Sequence, residues 1–343
     1  MATSSAPVQT RVPLAFLLVL LTALPVGAQS FELTAIVDTG SQPKQVVFSP
    51  DGTRLIVTLL DGDGIDVVSM PSATVRHVVV PQSGDLRGFV EAVYHPDGTR
   101  FYVSQMTTGL IHEFTARGGY LRSFATRGEW SKVIAISPDG TVMAVSNWLS
   151  DSVTILDTAN GDLVHRISLP GATIPRGMAF TPDGASLLIA YYGSGQIVRV
   201  STSDWSVAAS LPTGGAARHI VVHPDGRIAY VSDMLHRRVL VVSLQNNEIV
   251  TSVAVGSNPN TIALSPDGSL LFVSCRGPNN PDGYELRSPE AGAIHVVATE
   301  SLRTLRVIEG GNQPTGLAVS ADGTRFAFTN FQDNTVEIYR VVQ

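Results

Sequence analysis

The chain has 343 residues, 44% hydrophobic, 15% charged and 7% aromatic, with 31 glycines, 20 prolines and one cysteine. It is too apolar to be disordered and too rich in proline to be all-helical. Its net charge of −6 argues against a broadly basic protein of nucleic-acid or membrane surfaces, while leaving room for a local cationic site.

The first element is an apolar run, Leu14–Leu24, preceded by Arg11 and followed by Pro25-Val26-Gly27-Ala28. The run is short for a membrane span, and the small residues after it match a cleavage site. Residues 1–28 therefore read as a secretory signal peptide, with an uncleaved anchor as the alternative. Cleavage after Ala28 leaves Gln29 first and gives residues 29–343 as one periplasmic or secreted domain, without a membrane span and expected to be monomeric. Cys275 is the one cysteine, so no intrachain disulfide is available and stability must come from the core.

Beyond residue 30 a short motif recurs seven times: FSPDGTRLIV, YHPDGTRFYV, ISPDGTVMAV, FTPDGASLLI, VHPDGRIAYV, LSPDGSLLFV and VSADGTRFAF. Its aspartates are Asp51, Asp97, Asp139, Asp183, Asp225, Asp267 and Asp322. Pro-Asp-Gly is turn chemistry: proline presets φ, aspartate accepts from nearby amides, and glycine tolerates positive φ. Alternating apolar runs of strand length flank each turn, such as Gln45–Phe48 and Leu55–Thr58, and two more strands follow, such as Ser152–Leu156 and Leu163–Leu169. Four strands per unit of forty-odd residues predicts an all-β, seven-bladed propeller. The last unit has three strands, ending with Thr335–Val341, and an orphan strand, Leu33–Asp38, precedes the first. The N-terminal strand is expected to complete the C-terminal blade and close the ring.

The segments SPDGTRLIVT, HPDGTRFYVSQ, SPDGTVMAVSN, NPNTIAL and QPTGLAV resemble the YVTN-repeat family of seven-bladed propellers. That resemblance spans residues 31–343. It implies kinship with the quinoprotein amine dehydrogenase-like propellers and with the seven-bladed lactonases, and it fixes fold more than activity.

Counting from each turn aspartate locates the channel. Seven residues before it stand Lys44, Val90, Lys132, Arg176, Arg218, Asn260 and Thr315. Four of these are cations, and they include both lysines of the chain; its other 21 basic residues are arginines. One position later come Gln45, Glu91, Val133, Gly177, His219, Thr261 and Gly316. Eight residues after the aspartate, at the end of the second strand, come Leu59, Gln105, Asn147, Tyr191, Asp233, Cys275 and Asn330. Trp148, Tyr192, Met234, His236, Arg276 and Phe331 follow on the same loops, and Trp130 precedes Lys132. Blade six carries a long insertion from Arg276 to Gly292, a candidate lid.

A cationic ring at a channel mouth focuses field on an anion, with arginine offering a planar fork and lysine a point charge. The expected role is binding of an anionic small molecule, cofactor or extended anionic partner, and it requires no cofactor of the protein's own. Lys44, Lys132, Arg176 and Arg218 would neutralise charge, Asn147, His219 and Arg276 hydrogen-bond, and Trp148 and Tyr191 pack.

Three other chemistries compete. A metal-dependent lactonase or hydrolase would hold calcium or magnesium with Glu91, Asn147, Asp233 and Asn330. Catalysis without metal would rest on Glu91, His219 or Cys275. The aromatic residues also suit a protein partner, including a scaffold role beside a redox system, whereas single-stranded nucleic acid is disfavoured by the acidic balance.

Overall fold

The computed structural model describes residues 1, 29–81 and 86–342. The proposed signal peptide, residues 1–28, lies almost wholly outside them. Among the described residues, twenty-eight strands form seven four-stranded antiparallel sheets, the predicted seven-bladed propeller. Among the described residues no helix is long and apolar enough to cross a membrane.

Every blade follows the same local logic. In blade one, the inner strand Pro43–Phe48 runs into the Pro-Asp-Gly turn and returns as Arg54–Leu59. The third and outer strands are Gly64–Ser69 and Thr74–Val79. At the turn, the Ser49 hydroxyl and the Thr53 amide both donate to Asp51 Oδ1, at 2.5 and 3.0 Å. Ser137, Thr181, Ser265 and Ser320 repeat the hydroxyl contact to their own aspartates. His95 and His223 take the serine's place in blades two and five, 2.9 and 3.0 Å from Asp97 and Asp225. The following glycine sits at φ between 65° and 76° in all seven turns, a region open to glycine and costly for most other residues.

Closure comes from the two ends of the propeller. Ser30–Asp38 pairs antiparallel with Thr335–Val342, supplying the outer strand of blade seven. This ties sequence-distant segments into one sheet and removes an exposed ring edge. The core lies between blades: Val133, Ile155 and Ile167 of blade three pack with Met178, Leu187 and Tyr191 of blade four.

One irregularity recurs in all seven blades. The pairing of the inner with the second strand breaks register near the inner strand's start, for example between Pro43 and Gln45 and between Ala217 and His219. A bulge places two residues opposite one and re-aims side chains. In five blades the amide left out of the ladder finds a hydroxyl on the second strand. Gln45, Val133, His219 and Thr261 donate to Thr58, Ser146, Ser232 and Ser274, each at 3.0 Å, and Gly316 to Thr329 at 2.8 Å. Second-strand hydroxyls also bridge to the next blade: Ser104 donates to the Lys132 carbonyl, Ser232 to Asn260 and Ser274 to Thr315.

A candidate anion site at the channel mouth

The bulges put two successive inner-strand residues on the channel in place of the usual one in two. The first of each pair is the cationic register. Lys44, Lys132, Arg176 and Arg218 all line one cavity of about 260 Å³ at the loop-bearing mouth, joined by Val90. The second, including Gln45, Glu91, Val133, His219 and Thr261, lines a chamber of about 20 Å³ beneath it, room for about one water molecule. Glycine is needed at Gly177 and Gly316, because a Cβ there would come within 2.6 Å of the His219 or Gln45 Cα on the next inner strand.

A third tier comes from the position nine residues after each turn aspartate. Leu60, Met106, Trp148 and Tyr192, then Met234, Arg276 and Phe331, all line the cavity. The sequence reading drew candidates from this register, Trp148 and Arg276, and from the one before it, Asn147 and Tyr191, and the latter two do not line the cavity. Tyr191 is fully buried in the core between blades three and four, and Tyr192 faces the cavity instead. Asn147 is fully buried too, accepting from Ser131 at 2.8 Å and donating to Thr154 at 2.9 Å. Side chains alternate along a strand, so a shift of one residue exchanges cavity for blade interior. Leu60 and Met106 were missed altogether, although their register was already marked by Trp148, Tyr192 and Arg276.

The interior register has its own purpose: it braces the top of each blade. Asp233 accepts from the Ala216 amide and from Arg238 Nε, each at 2.9 Å, and from the His236 amide at 3.4 Å, with His236 Nδ1 also 2.9 Å away. Burial works to raise its carboxyl, and these partners overcome it and hold the group below the usual range. Asn330 accepts from Gly311 and donates to Glu337. Cys275 is buried in the core, and burial pushes its thiol up to about 12, which removes it as a nucleophile. The four residues considered for calcium or magnesium do not converge. Glu91 stands in the channel, while Asn147, Asp233 and Asn330 are engaged inside three different blades. Among the described residues, no group of three or more His, Cys, Asp or Glu could hold a metal ion.

What remains at the mouth is a cluster of cations with little to neutralise them. Lys132, Arg176, Arg218 and Arg276 are buried, at 5–8% exposure, and Lys44 is half-buried. None of the five forms a salt bridge among the described residues. Arg276 Nη2 donates to the Tyr284 carbonyl at 3.1 Å and to Gln313 Oε1 at 2.5 Å. Arg176 has two buried nitrogens, Nε and Nη1, with no hydrogen-bond partner. Aromatic faces take up part of the charge. Lys132 Nζ lies 3.6 Å and Arg176 Cζ 4.5 Å from the Trp148 ring centre, with Lys44 Nζ 4.6 Å from Phe331. Desolvated contacts of this kind stabilise a cation by roughly 2 kcal/mol, less than the several kcal/mol that burying each ion costs.

The protonation equilibria follow from that crowding. Burial, and then the charges of its neighbours, push Lys132 down to about 4 and Lys44 well below the usual lysine range. Arg176 and Arg276 fall to about 10 through burial and remain charged at neutral pH. His219 drops to about 3, from burial and then Arg218 and Arg176. It is a neutral ring in the lower chamber. Glu91 moves the other way: burial raises it to about 7, against the Gln45 hydrogen bond and the nearby arginines. Gln45 Nε2 donates to Glu91 Oε1 at 2.8 Å, and Gln45 Oε1 is held by the Val46 and Leu317 amides.

The blade-six insertion forms one wall of the cavity, contributing Asn279, Tyr284 and Glu285. Its backbone is pinned from below, with Gln313 Nε2 donating to the Tyr284 and Leu286 carbonyls and Arg287 paired with Asp333. Glu285 was not anticipated from sequence, because nothing in a loop of irregular composition indicates which residue turns inward.

Comparison with known proteins agrees with this architecture. Residues 36–206 and 199–343 match the family described as "Lactonase, 7-bladed beta-propeller". Antigen Lp49 of Leptospira interrogans serogroup Icterohaemorrhagiae serovar copenhageni (strain Fiocruz L1-130) is 34% identical over 312 residues, covering 88% of this chain and 68% of that protein. Among solved structures, Kuenenia stuttgartiensis hydrazine synthase superposes with a TM-score of 0.75 at 19% identity, over 89% of this chain and 97% of that one, a likeness of fold. Of the two groups that the repeats resemble, the match supports the seven-bladed lactonases. The chain belongs to the seven-bladed β-propeller lactonase family.

Proposed function

We propose that this protein is exported and binds an anionic ligand at the loop-bearing mouth of its channel. The observation that carries the reading is Arg176: a buried guanidinium with two unpartnered nitrogens, beside Lys44, Lys132 and Arg218, in a cavity whose lining carboxylate, Glu285, forms a salt bridge with none of them among the described residues. Unpaired buried charge is costly to a fold, and its retention is explained when a ligand supplies the counter-charge. Trp148, Tyr192 and Phe331 give the ligand flat walls. Export rests on residues 1–28 and fits a relative named as an antigen.

Trp130 and Trp148 border the cavity, so their fluorescence reports occupancy. Sulfate and malonate should each produce a saturable change that vanishes in the Lys44→Met/Lys132→Met variant. A wild-type protein unresponsive to both anions overturns the reading.

Hydrolysis of a lactone is the second reading, and Glu91 favours it. A carboxyl titrating at about 7 beside a one-water chamber suits a general base, and the cations above suit the oxyanion and the carboxylate product. Acid release from a carboxylated lactone, followed by pH-stat, should then be present in wild type and absent in Glu91→Gln.

A further inference from the structure

We propose that the loop-bearing mouth docks a partner protein, which inserts an acidic side chain, set between apolar neighbours on an extended segment, into the cation cavity. This rests on the anion-binding reading and names the ligand's carrier.

The first support is where large apolar side chains meet solvent. Apart from Met1, the exposed ones fall into two sets. One lies on the outer strands of the blades. The other is Leu86, Trp130, Leu149, Leu235, Tyr284 and Leu286, all on loops of the cavity-bearing face. Among the described residues, the turns of the opposite face contribute none. Leu235 is 66% exposed and Leu149 53%, in short loops where a polar residue would serve the turn equally well. Exposed apolar groups gathered around a polar centre mark interaction surfaces.

Charge then narrows the partner. The cavity is cationic, but the rim around it is not. Asp61, Glu129, Asp151, Asp282, Glu290 and Asp333 stand on the same loops, against the exposed arginines Arg87, Arg127, Arg237 and Arg287. A polyanion or an anionic membrane would bring negative charge onto the rim as well as the centre. What fits is one acidic point on apolar shoulders.

The protein presents a version of this pattern to itself. In the blade-six insertion, Tyr284-Glu285-Leu286 sets a cavity-lining carboxylate between two side chains that are about half exposed. A partner segment of the same alternation would approach the remaining cations from the open side, with its apolar residues on Trp130, Leu149 and Leu235.

The test is selection of a random phage-displayed peptide library on the immobilised protein. Enriched sequences should carry Asp or Glu flanked by apolar residues. A synthetic peptide of the leading sequence should bind about tenfold more tightly than malonate. Leu149→Asp/Leu235→Asp should weaken that peptide about tenfold while leaving malonate binding and the melting curve unchanged. Lys132→Met should weaken both. Enrichment of peptides without an acid, no enrichment, or a rim variant that binds the peptide as wild type does overturns the docking surface and leaves the anion site standing. Binding to phosphatidylserine vesicles with no peptide enriched also overturns it, assigning the rim to membrane. A wild type that binds neither malonate nor sulfate instead overturns the anion site itself.

Discussion

The two faces of the ring treat charge in opposite ways. On the turn face, each of the seven aspartates lies beside its own donors. Asp51 is held down to about 2 by the Ser49 hydroxyl and then by Thr53. On the loop face, three arginines and two lysines converge on one cavity whose lining carboxylate, Glu285, forms a salt bridge with none of them among the described residues. The turns are locally complete, and the mouth is complete only with something else in it. This difference separates residues that build the propeller from residues that use it.

The sharpest way to break the comparison is to replace side chains on each face. Lys44→Met/Lys132→Met should abolish sulfate binding, a loss of at least about a hundredfold, while the melting temperature stays level or rises because two unfavourably buried amines are gone. If the variant unfolds readily, the lysines are structural. Asp139→Ala on the turn face should do the reverse, costing about 1 kcal/mol of stability in denaturant melts and leaving sulfate affinity unchanged.

Acidity sharpens the contrast further. Sulfate keeps its charge across neutral pH, so a pH-dependent affinity reports the protein. As pH falls from 8 to 6, Glu91 takes up its proton near 7 and ceases to repel the anion, and binding should strengthen several-fold, up to about tenfold. Glu91→Gln should flatten that rise. Stability carries a separate signature. Lys132 is held to about 4 in the fold, far below its unfolded value, so over neutral pH the unfolded chain binds the extra proton. Wild-type stability should therefore gain with rising pH from this residue, and Lys132→Met should lose that gain in melts between pH 6 and 9.

The smallest expected effect separates neighbouring residues. Tyr191→Phe should alter sulfate affinity by less than about twofold and leave the melting temperature unchanged or slightly higher, since its buried hydroxyl has no partner. Tyr192→Ala should weaken binding by about threefold to fivefold through loss of a cavity wall.

That pair also marks how far the sequence could be read. The turns, the blade count and the closing strand were legible because each is written in local chemistry: Pro-Asp-Gly, alternation and an orphan strand. The cationic register was legible because both lysines of the chain share it. At the far end of the second strand, Asn147 and Tyr191 were read as ligand contacts and are instead buried inside their blades. Asparagine and aspartate there look like ligands, yet they brace the loop above them. Polarity alone cannot distinguish a side chain that waits for a partner from one that already has it. Glu285 was out of reach for another reason, since its position depends on how Gln313 and Arg276 pin a long loop.

The recurring bulge has a consequence for how such a protein can diverge. In five blades a second-strand hydroxyl satisfies the displaced amide, so there the ladder does not depend on the side chain at the bulged position. Lys44, Val90, Lys132, Arg176, Arg218, Asn260 and Thr315 occupy equivalent places with four different chemistries. Blades one to five each offer this residue to a common cavity, while Asn260 and Thr315 are buried beside it. The ring can trade one ligand for another by single substitutions, blade by blade, without the interior having to be rebuilt.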